Sequence, residues 1–183
     1  MKIGAVGLGN RIAHVFYELK QINKDAEMIA FVDPNPIGEK FAVEKNIFPS
    51  IRYNSLDEML QKEKLDLLMV GSPNHLHIEH IQKGLDAGVK IFSEKPIVAN
   101  TEQTWKLSNL IKQYGKENIL VGLVLRYSKH ARSLRELISE DKLGKIISLE
   151  ASEHIMPWHG GFFMRNWRRK TLYSGGFMLE KCC

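Results

Sequence analysis

Cysteine is nearly absent from this chain. Its 183 residues include two, Cys182 and Cys183, adjacent at the C-terminal end. No internal disulfide can therefore staple the fold, and a reduced, cytoplasmic setting is the expectation. Long apolar runs are missing as well: none approaches the roughly 18 residues of a membrane helix. The opening Met1–Gly7 is apolar but too short and too glycine-rich for a signal peptide. With 6 prolines, 14 glycines, 44% hydrophobic and 26% charged residues, neither a collagen-like repeat nor intrinsic disorder is expected. There is no strong excess of one charge either. The net charge is +5, but residues 1–150 carry 21 Lys and Arg against 19 Asp and Glu. The basic excess gathers late, around Arg165, Arg168, Arg169 and Lys170. Such a distribution gives no general field for nucleic acid.

What is present is an alternation. Lys2–Val6 is a short apolar run that ends in glycines, and Ile12, Val15, Phe16 and Leu19 follow at helical spacing. Met28–Val32, Leu65–Val70, Val89–Phe92 and Ile119–Leu125 read as further strands. Helical patterns separate them: Phe41–Lys45, a capped helix opening at Ser55-Leu56-Asp57-Glu58, a stripe at Ile78, Ile81 and Leu85, and another at Leu107, Leu110, Ile111 and Tyr114. Strand and helix in short-linked repetition predict an α/β fold, a Rossmann-type doubly wound and mainly parallel sheet over residues 1–125. Beyond Leu125 the pattern changes. Leu134, Leu137 and Ile138 suggest a helix, Lys145–Glu153 a new strand, and residues 156–170 are irregular and aromatic. Residues 126–183 therefore read as the incomplete start of a second, α+β domain, near the lower size limit for independent folding.

Parallel sheets of this kind bind ligands beyond the carboxyl ends of their strands. Four such places stand out. Gly7-Leu8-Gly9-Asn10-Arg11-Ile12 lies between the first strand and first helix, the context a dinucleotide fingerprint needs. Gly7 would permit the tight turn, and Gly9 would let the backbone approach a pyrophosphate at the helix N-terminus. Ile12 stands where the fingerprint has Gly or Ala, so close helix–strand packing must be achieved another way. Asp33 follows the second strand, 24 residues after Gly9, near the spacing of a ribose-binding carboxylate. There it would favour NAD over NADP, which remains the alternative cofactor because Arg11 could offset its charge. Asp33 equally suits the start of the Asp33-Pro34-Asn35-Pro36 turn.

The third place is Ser72-Pro73-Asn74-His75-Leu76-His77. His75 and His77, two apart, cannot share one helix face, so no metal site is expected. His77 reads instead as the start of the helix beneath the cofactor. The fourth is Glu94-Lys95-Pro96, behind a buried strand. A lysine there, partly desolvated, can move protons, and Pro96 would fix the turn, for which a cis bond is one means. Read in isolation, the same residues make a surface ion pair beside a turn. The aromatic and basic stretch Trp158, Trp167, Arg168, Arg169 and Lys170 could be a nucleic-acid patch, but no basic stripe elsewhere supports it; a solvated loop is the better reading.

Together these residues resemble the glucose–fructose oxidoreductase / inositol dehydrogenase (Gfo/Idh/MocA) family of nicotinamide-dependent oxidoreductases. The resemblance is carried by Gly7–Arg11, Asp33, Ser72-Pro73-Asn74 with His77, the block from Gly88 to Pro96, and Arg126. It implies a Rossmann domain followed by a substrate domain built on a largely antiparallel sheet. It implies NAD as cofactor, held by Gly7, Gly9, Asn10, Arg11, Ile12, Asp33, Ser72, Pro73, Asn74, His77, Glu94, Lys95 and Arg126. Lys95 would be the catalytic lysine that contacts the substrate hydroxyl. The segment Ser174–Glu180 resembles the glycine-rich stretch that leads into an acidic residue, here Glu180, and then a histidine, which would fall just beyond Cys183. The implied substrate is a sugar, polyol or related small molecule, the implied assembly a homo-oligomer, with neither nucleic acid nor membrane as partner. Residues 1–183 alone would bind cofactor and turn over little substrate. The competing reading is a dinucleotide-binding module without catalysis, acting as a sensor or partner subunit.

Overall fold

A computed structural model describes residues 1–49 and 51–182. Its core is one six-stranded sheet: β1 (Lys2–Val6), β2 (Glu27–Val32), β3 (Ile51–Arg52), β4 (Leu67–Val70), β5 (Lys90–Ser93) and β6 (Ile119–Val121). The spatial order is β3-β2-β1-β4-β5-β6, and each neighbouring pair is parallel. Helices make the crossovers: α1 (Asn10–Ile22), α2 (Glu39–Glu44), α3 (Leu56–Lys62), α4 (His77–Asp86) and α5 (Thr101–Tyr114). The order reverses between β1 and β4, which creates the crevice where doubly wound sheets take their ligands.

Both faces of the sheet are buried, so its strands need apolar residues on both sides rather than strict alternation. Leu68 and Val70 of β4 pack with Met59, Ile81 and Ile91 on one face. Met69, between them, joins Ile3, Ile12 and Phe16 on the other. Each such side chain contributes about 1.5–3 kcal/mol by leaving water. Local signals set the helix starts. The Ser55 hydroxyl accepts a hydrogen bond from the Glu58 N–H at 3.1 Å, and the Asn100 side chain accepts from the Gln103 N–H at 2.9 Å. Both are N-caps that satisfy donors the helix itself leaves open.

Past β6 the structure departs from expectation in two ways. The strand expected over Ile119–Leu125 ends at Val121, and Val124–Tyr127 forms a 3₁₀ turn. Its neighbour β5 ends at Ser93, whose carbonyl accepts the last ladder bond from the Gly122 N–H at 2.8 Å; beyond it there is nothing to pair with. The strand expected over Lys145–Glu153 does not form: these residues run exposed, with no ladder partner among the described residues. A strand's N–H and C=O groups need a neighbour, and alternation in sequence does not supply one. The chain continues instead in helices: α6 (Lys129–Ser139), α7 (Pro157–Phe163), α8 (Thr171–Ser174) and α9 (Phe177–Cys182). The stretch read as irregular thus contains α7 and a 3₁₀ turn at Asn166–Arg169.

Among the described residues, no helix is long and apolar enough to cross a membrane, and no three His, Cys, Asp or Glu side chains form a group that could hold a metal. Cys182 is exposed and carries no disulfide; Cys183, considered with it above, lies outside the described residues.

Candidate functional site

The glycine loop runs from β1 into α1 at the switch point. Gly7 has φ +84°, a left-handed value that side chains resist. A Cβ there would lie 2.3 Å from the backbone nitrogen of Ser72. Gly7 is therefore the point where two chain crossings touch. Gly9 differs: its φ is −78°, and a Cβ would meet nothing within 4 Å. The space beside it is open. No side chain caps α1 and its first turn holds no acidic residue, so the orphan N–H groups there are free to face an anion. Ile12 is buried, and the room for it comes from Gly71, where a Cβ would fall 2.2 Å from Ile12 Cγ1. The small residue absent from the fingerprint's third position thus reappears at the end of β4.

Asp33 accepts hydrogen bonds from the Leu8 N–H and the Asn35 N–H, each at 2.7 Å. It fastens the glycine loop and opens the following turn at once, so its two candidate roles are compatible. Gly38 completes the clasp: its N–H donates to Leu8 O at 3.0 Å, and a Cβ there would lie 2.6 Å from Gly9 O. If the Asp33 carboxylate also faces the ribose, NADH binds more tightly than NADPH, because a 2′-phosphate would meet like charge. Asp33→Asn keeps a carbonyl acceptor and removes the charge. The expected result is a preference narrowed about tenfold, ~1.4 kcal/mol, in a fluorescence titration of both cofactors; an unchanged ratio would assign Asp33 to the turn alone.

The Ser72–His77 segment serves mainly to hold the site together. Ser72 Oγ shares a 2.8 Å hydrogen bond with His80 Nδ1, and burial drives His80 down to about 4. His77 is buried with both ring nitrogens on carbonyl oxygens, Nδ1 at 2.8 Å from Pro96 O and Nε2 at 2.7 Å from Ser72 O. Burial lowers its pKa although both carbonyls favour the proton. The imidazole ties the Ser72 loop to the Glu94-Lys95-Pro96 turn, whose Lys95–Pro96 peptide is cis. The Asn74 side chain donates to Ser174 O at 2.9 Å and also reaches the Glu180 carboxylate.

Lys95 Nζ donates to the backbone carbonyl of Glu180 at 2.5 Å. The Glu180 carboxylate faces elsewhere: its Oε1 accepts from Arg168 Nε at 3.1 Å. Burial pushes this carboxyl up, and Arg168 pulls it back only in part. Glu94 is the other acid. Its Oε1 is buried with no hydrogen-bond partner among the described residues. Burial raises its pKa, against the opposing pull of Arg11 and Lys95. Gly122 gives it room, since a Cβ there would lie 3.1 Å from Oε1.

These groups line one cleft of about 810 Å³. Gly9, Asn10, Arg11 and Ile12 form one side of it; Ser72, Asn74 and His77 contribute from the loop after β4; Glu94 and Lys95 from that after β5. Arg126 joins from the 3₁₀ turn, and Glu180 from α9. Gly7, Asp33 and Pro73 do not line it: Gly7 and Asp33 act through the loop they hold. Sequence reasoning missed Gly38, Gly71, His80 and Gly122, and had no function for Arg168. Of these Gly71 and Gly122, each directly behind a strand, carried a local signal.

Glu94 makes a stability prediction. A carboxyl whose folded pKa is raised binds its proton more tightly in the native state, so its contribution weakens as pH rises through that value. Glu94→Gln should therefore stabilise the cofactor-free protein at pH 7–8 by about 1 kcal/mol. The melting temperature would rise ~2–4 °C, with the difference gone well below the ordinary glutamate range, where both states are protonated. A fall at neutral pH would show that the ionised carboxylate is held favourably.

A parallel sheet with this strand order and an open glycine loop at its reversal defines a dinucleotide-binding unit. Residues 1–123 match the model of the oxidoreductase family with an NAD-binding Rossmann fold, Gfo/Idh/MocA, and the chain belongs to that family. It is 27% identical to the putative oxidoreductase YteT of Bacillus subtilis, over 96% of this chain and 42% of that protein. It is 26% identical to an inositol 2-dehydrogenase of Arthrobacter, over 81% and 44%, and 26% identical to the 2,7-anhydro-N-acetylneuraminate hydratase of Escherichia coli, over 96% and 45%. The chain thus spans less than half the length of these relatives. Among solved structures it resembles scyllo-inositol dehydrogenase from Lactobacillus casei with NAD(H) and scyllo-inositol bound, with TM-score 0.68 and 26% identity over 80% of this chain and 43% of that one. NAD is accordingly the cofactor of the matched unit, and the residues fit it: an uncapped helix start, open space at Gly9 and an unpartnered buried carboxylate oxygen on Glu94.

Proposed function

We propose that this chain carries the cofactor site and the proton-handling lysine of an NAD-linked dehydrogenase acting on a sugar, polyol or related molecule. One observation supports this most: the glycine loop, Glu94 and Lys95 meet in a single cleft at the switch point. Residues 1–125 would form the cofactor domain, and residues 126–183 the opening of the substrate domain.

When bound, the nicotinamide supplies the hydride acceptor. The chain's own residues do the rest. The α1 N-terminus holds the pyrophosphate, and Gly9 keeps its path clear. Glu94 offers Oε1 as a hydrogen-bond acceptor to a hydroxyl entering the cleft. Lys95 Nζ would take the proton of a substrate hydroxyl as the neutral amine and return it as the ammonium, with one N–H directed to Glu180 O. Asn74 and His77 are positioning residues that fix the two loops carrying these groups. A proton-transfer group of this kind typically contributes ~10²–10⁴-fold.

The test is a fluorescence titration with NADH, followed by NAD⁺ reduction at 340 nm against a panel of polyols and sugars, using the intact gene product from first codon to stop. Reduction with at least one compound, lost in Lys95→Met while NADH affinity holds, is the expected result. Tight NADH binding with no reduction across the panel would favour the non-catalytic module instead.

A further inference from the structure

The segment from α7 to α9 builds one wall of the cleft, and one residue in it has no role in the reading above. Arg168 stands in the 3₁₀ turn after α7. Its guanidinium lies 3.9 Å from the centre of the Phe162 ring and 4.2 Å from that of Trp167. Nε donates to Glu180 Oε1. Two rings and one hydrogen bond thus hold the plane of the guanidinium.

Arginine has five N–H donors in a fixed fork. Glu180 takes the bond from Nε alone; among the described residues no acceptor bonds either terminal nitrogen. Neither nitrogen is among the buried, unpartnered atoms of the described residues; Arg168 lines the cleft, and its side chain is 25% exposed. An arginine serving only to neutralise Glu180 would gain most from a forked, two-bond contact. Here the forked edge is left for another acceptor.

The surroundings favour an anion. Lysines and arginines lining the cleft outnumber carboxylates five to three. Arg11 enters from the glycine loop, on the pyrophosphate side, whereas Arg168 reaches in through the same Glu180 whose carbonyl holds Lys95. Trp158 and Phe162 line the same wall, Trp158 with 73% of its surface exposed. A large aromatic face beside a polar edge suits the C–H face of a sugar ring. A planar fork takes a carboxylate through two parallel bonds, and with Glu180 already on Nε one further negative charge is matched better than a phosphate's two.

We propose that Arg168 is a specificity-determining residue that receives the carboxylate of a sugar acid while the sugar's hydroxyl lies toward Lys95. This rests on the dehydrogenase reading above and names its substrate class. Glu180 would stay paired through Nε as the terminal nitrogens take the ligand.

The test measures binding to the NADH-loaded chain by calorimetry, with D-glucuronate, D-glucose and D-glucose 6-phosphate as probes. Glucuronate should bind at least about tenfold more tightly than glucose and more tightly than the phosphate. Arg168→Gln should bring glucuronate to the level of glucose while NADH affinity is unchanged. Because that variant leaves Glu180 without its guanidinium and could disturb the fold, Arg168→Gln with Glu180→Gln removes both charges together; the loss of preference should persist there. Failure to bind NADH would overturn the dehydrogenase reading, and this inference with it. NADH binding with no preference for glucuronate, a stronger response to the phosphate, or a preference surviving in the double variant would overturn this inference alone.

Discussion

Gly9→Val should weaken NADH binding by more than about 100-fold, ~2.8 kcal/mol, in a protein that still folds. The two halves of that statement have separate grounds. Gly9 has ordinary backbone angles and open space where a Cβ would stand, so the native chain accommodates the side chain without strain. The same open space is the approach to the uncapped N-terminus of α1. Two added methyl groups there hold a pyrophosphate away from the N–H groups that would bind it, and hydrogen bonds to a charged group are among the stronger ones. Fluorescence titration measures the first half and thermal unfolding the second. Normal NADH affinity in a folded variant would remove the anion site from the glycine loop.

Two residues earlier the expectation inverts. Gly7→Ala should destabilise the whole domain by at least about 3 kcal/mol, lowering the melting temperature by roughly 6–12 °C or preventing folding. A left-handed φ alone costs about 1–2 kcal/mol for a residue with a Cβ. The contact adds the rest: the new carbon would lie 2.3 Å from Ser72 N and 2.4 Å from Gly71 C. Both are backbone atoms at the end of β4 and cannot rotate aside. A melting curve superimposable on the parent's would show that the two crossings stand further apart. The pair of variants separates what the loop does for the ligand from what it does for the sheet.

The fold was largely legible because its strands are buried on both faces and its helices on one. Leu67–Val70 is an unbroken apolar run, and Ile78, Ile81 and Leu85 repeat at helical spacing; neither pattern has a good alternative. β3 escaped notice for the converse reason: Ile51 and Arg52 are exposed at the sheet's edge. The strand drawn over Lys145–Glu153 came from alternation alone, and alternation says nothing about a partner. In the site, Gly9, Glu94 and Lys95 were visible because each directly follows a strand, where the topology places ligands. Asn74 was visible as a loop residue, but its bond to Ser174, 100 positions away, was not. Arg168 looked like part of a solvated basic stretch, and only the packing of α9 turned it into the cleft.

That long-range bond between Asn74 and Ser174 also bears on when the site comes into being. The sheet assembles from neighbouring strands and short crossovers. The segment carrying Glu180 and Arg168 returns to it only after a long excursion, and closing a loop of that size costs on the order of 3–4 kcal/mol in chain entropy. The contacts that repay it include Asn74 with Ser174 and Glu180, His75 against Tyr173, Gly175 against Ala99, and Lys95 with Glu180. The C-terminal wall is thus expected to close after the sheet and to open before it. Its amides should exchange with solvent while those of β4 remain protected, through partial openings that leave the sheet intact. Each such opening would expose Lys95 to bulk water, so the closed cleft is expected to be one member of a population held over a core that does not share its motion.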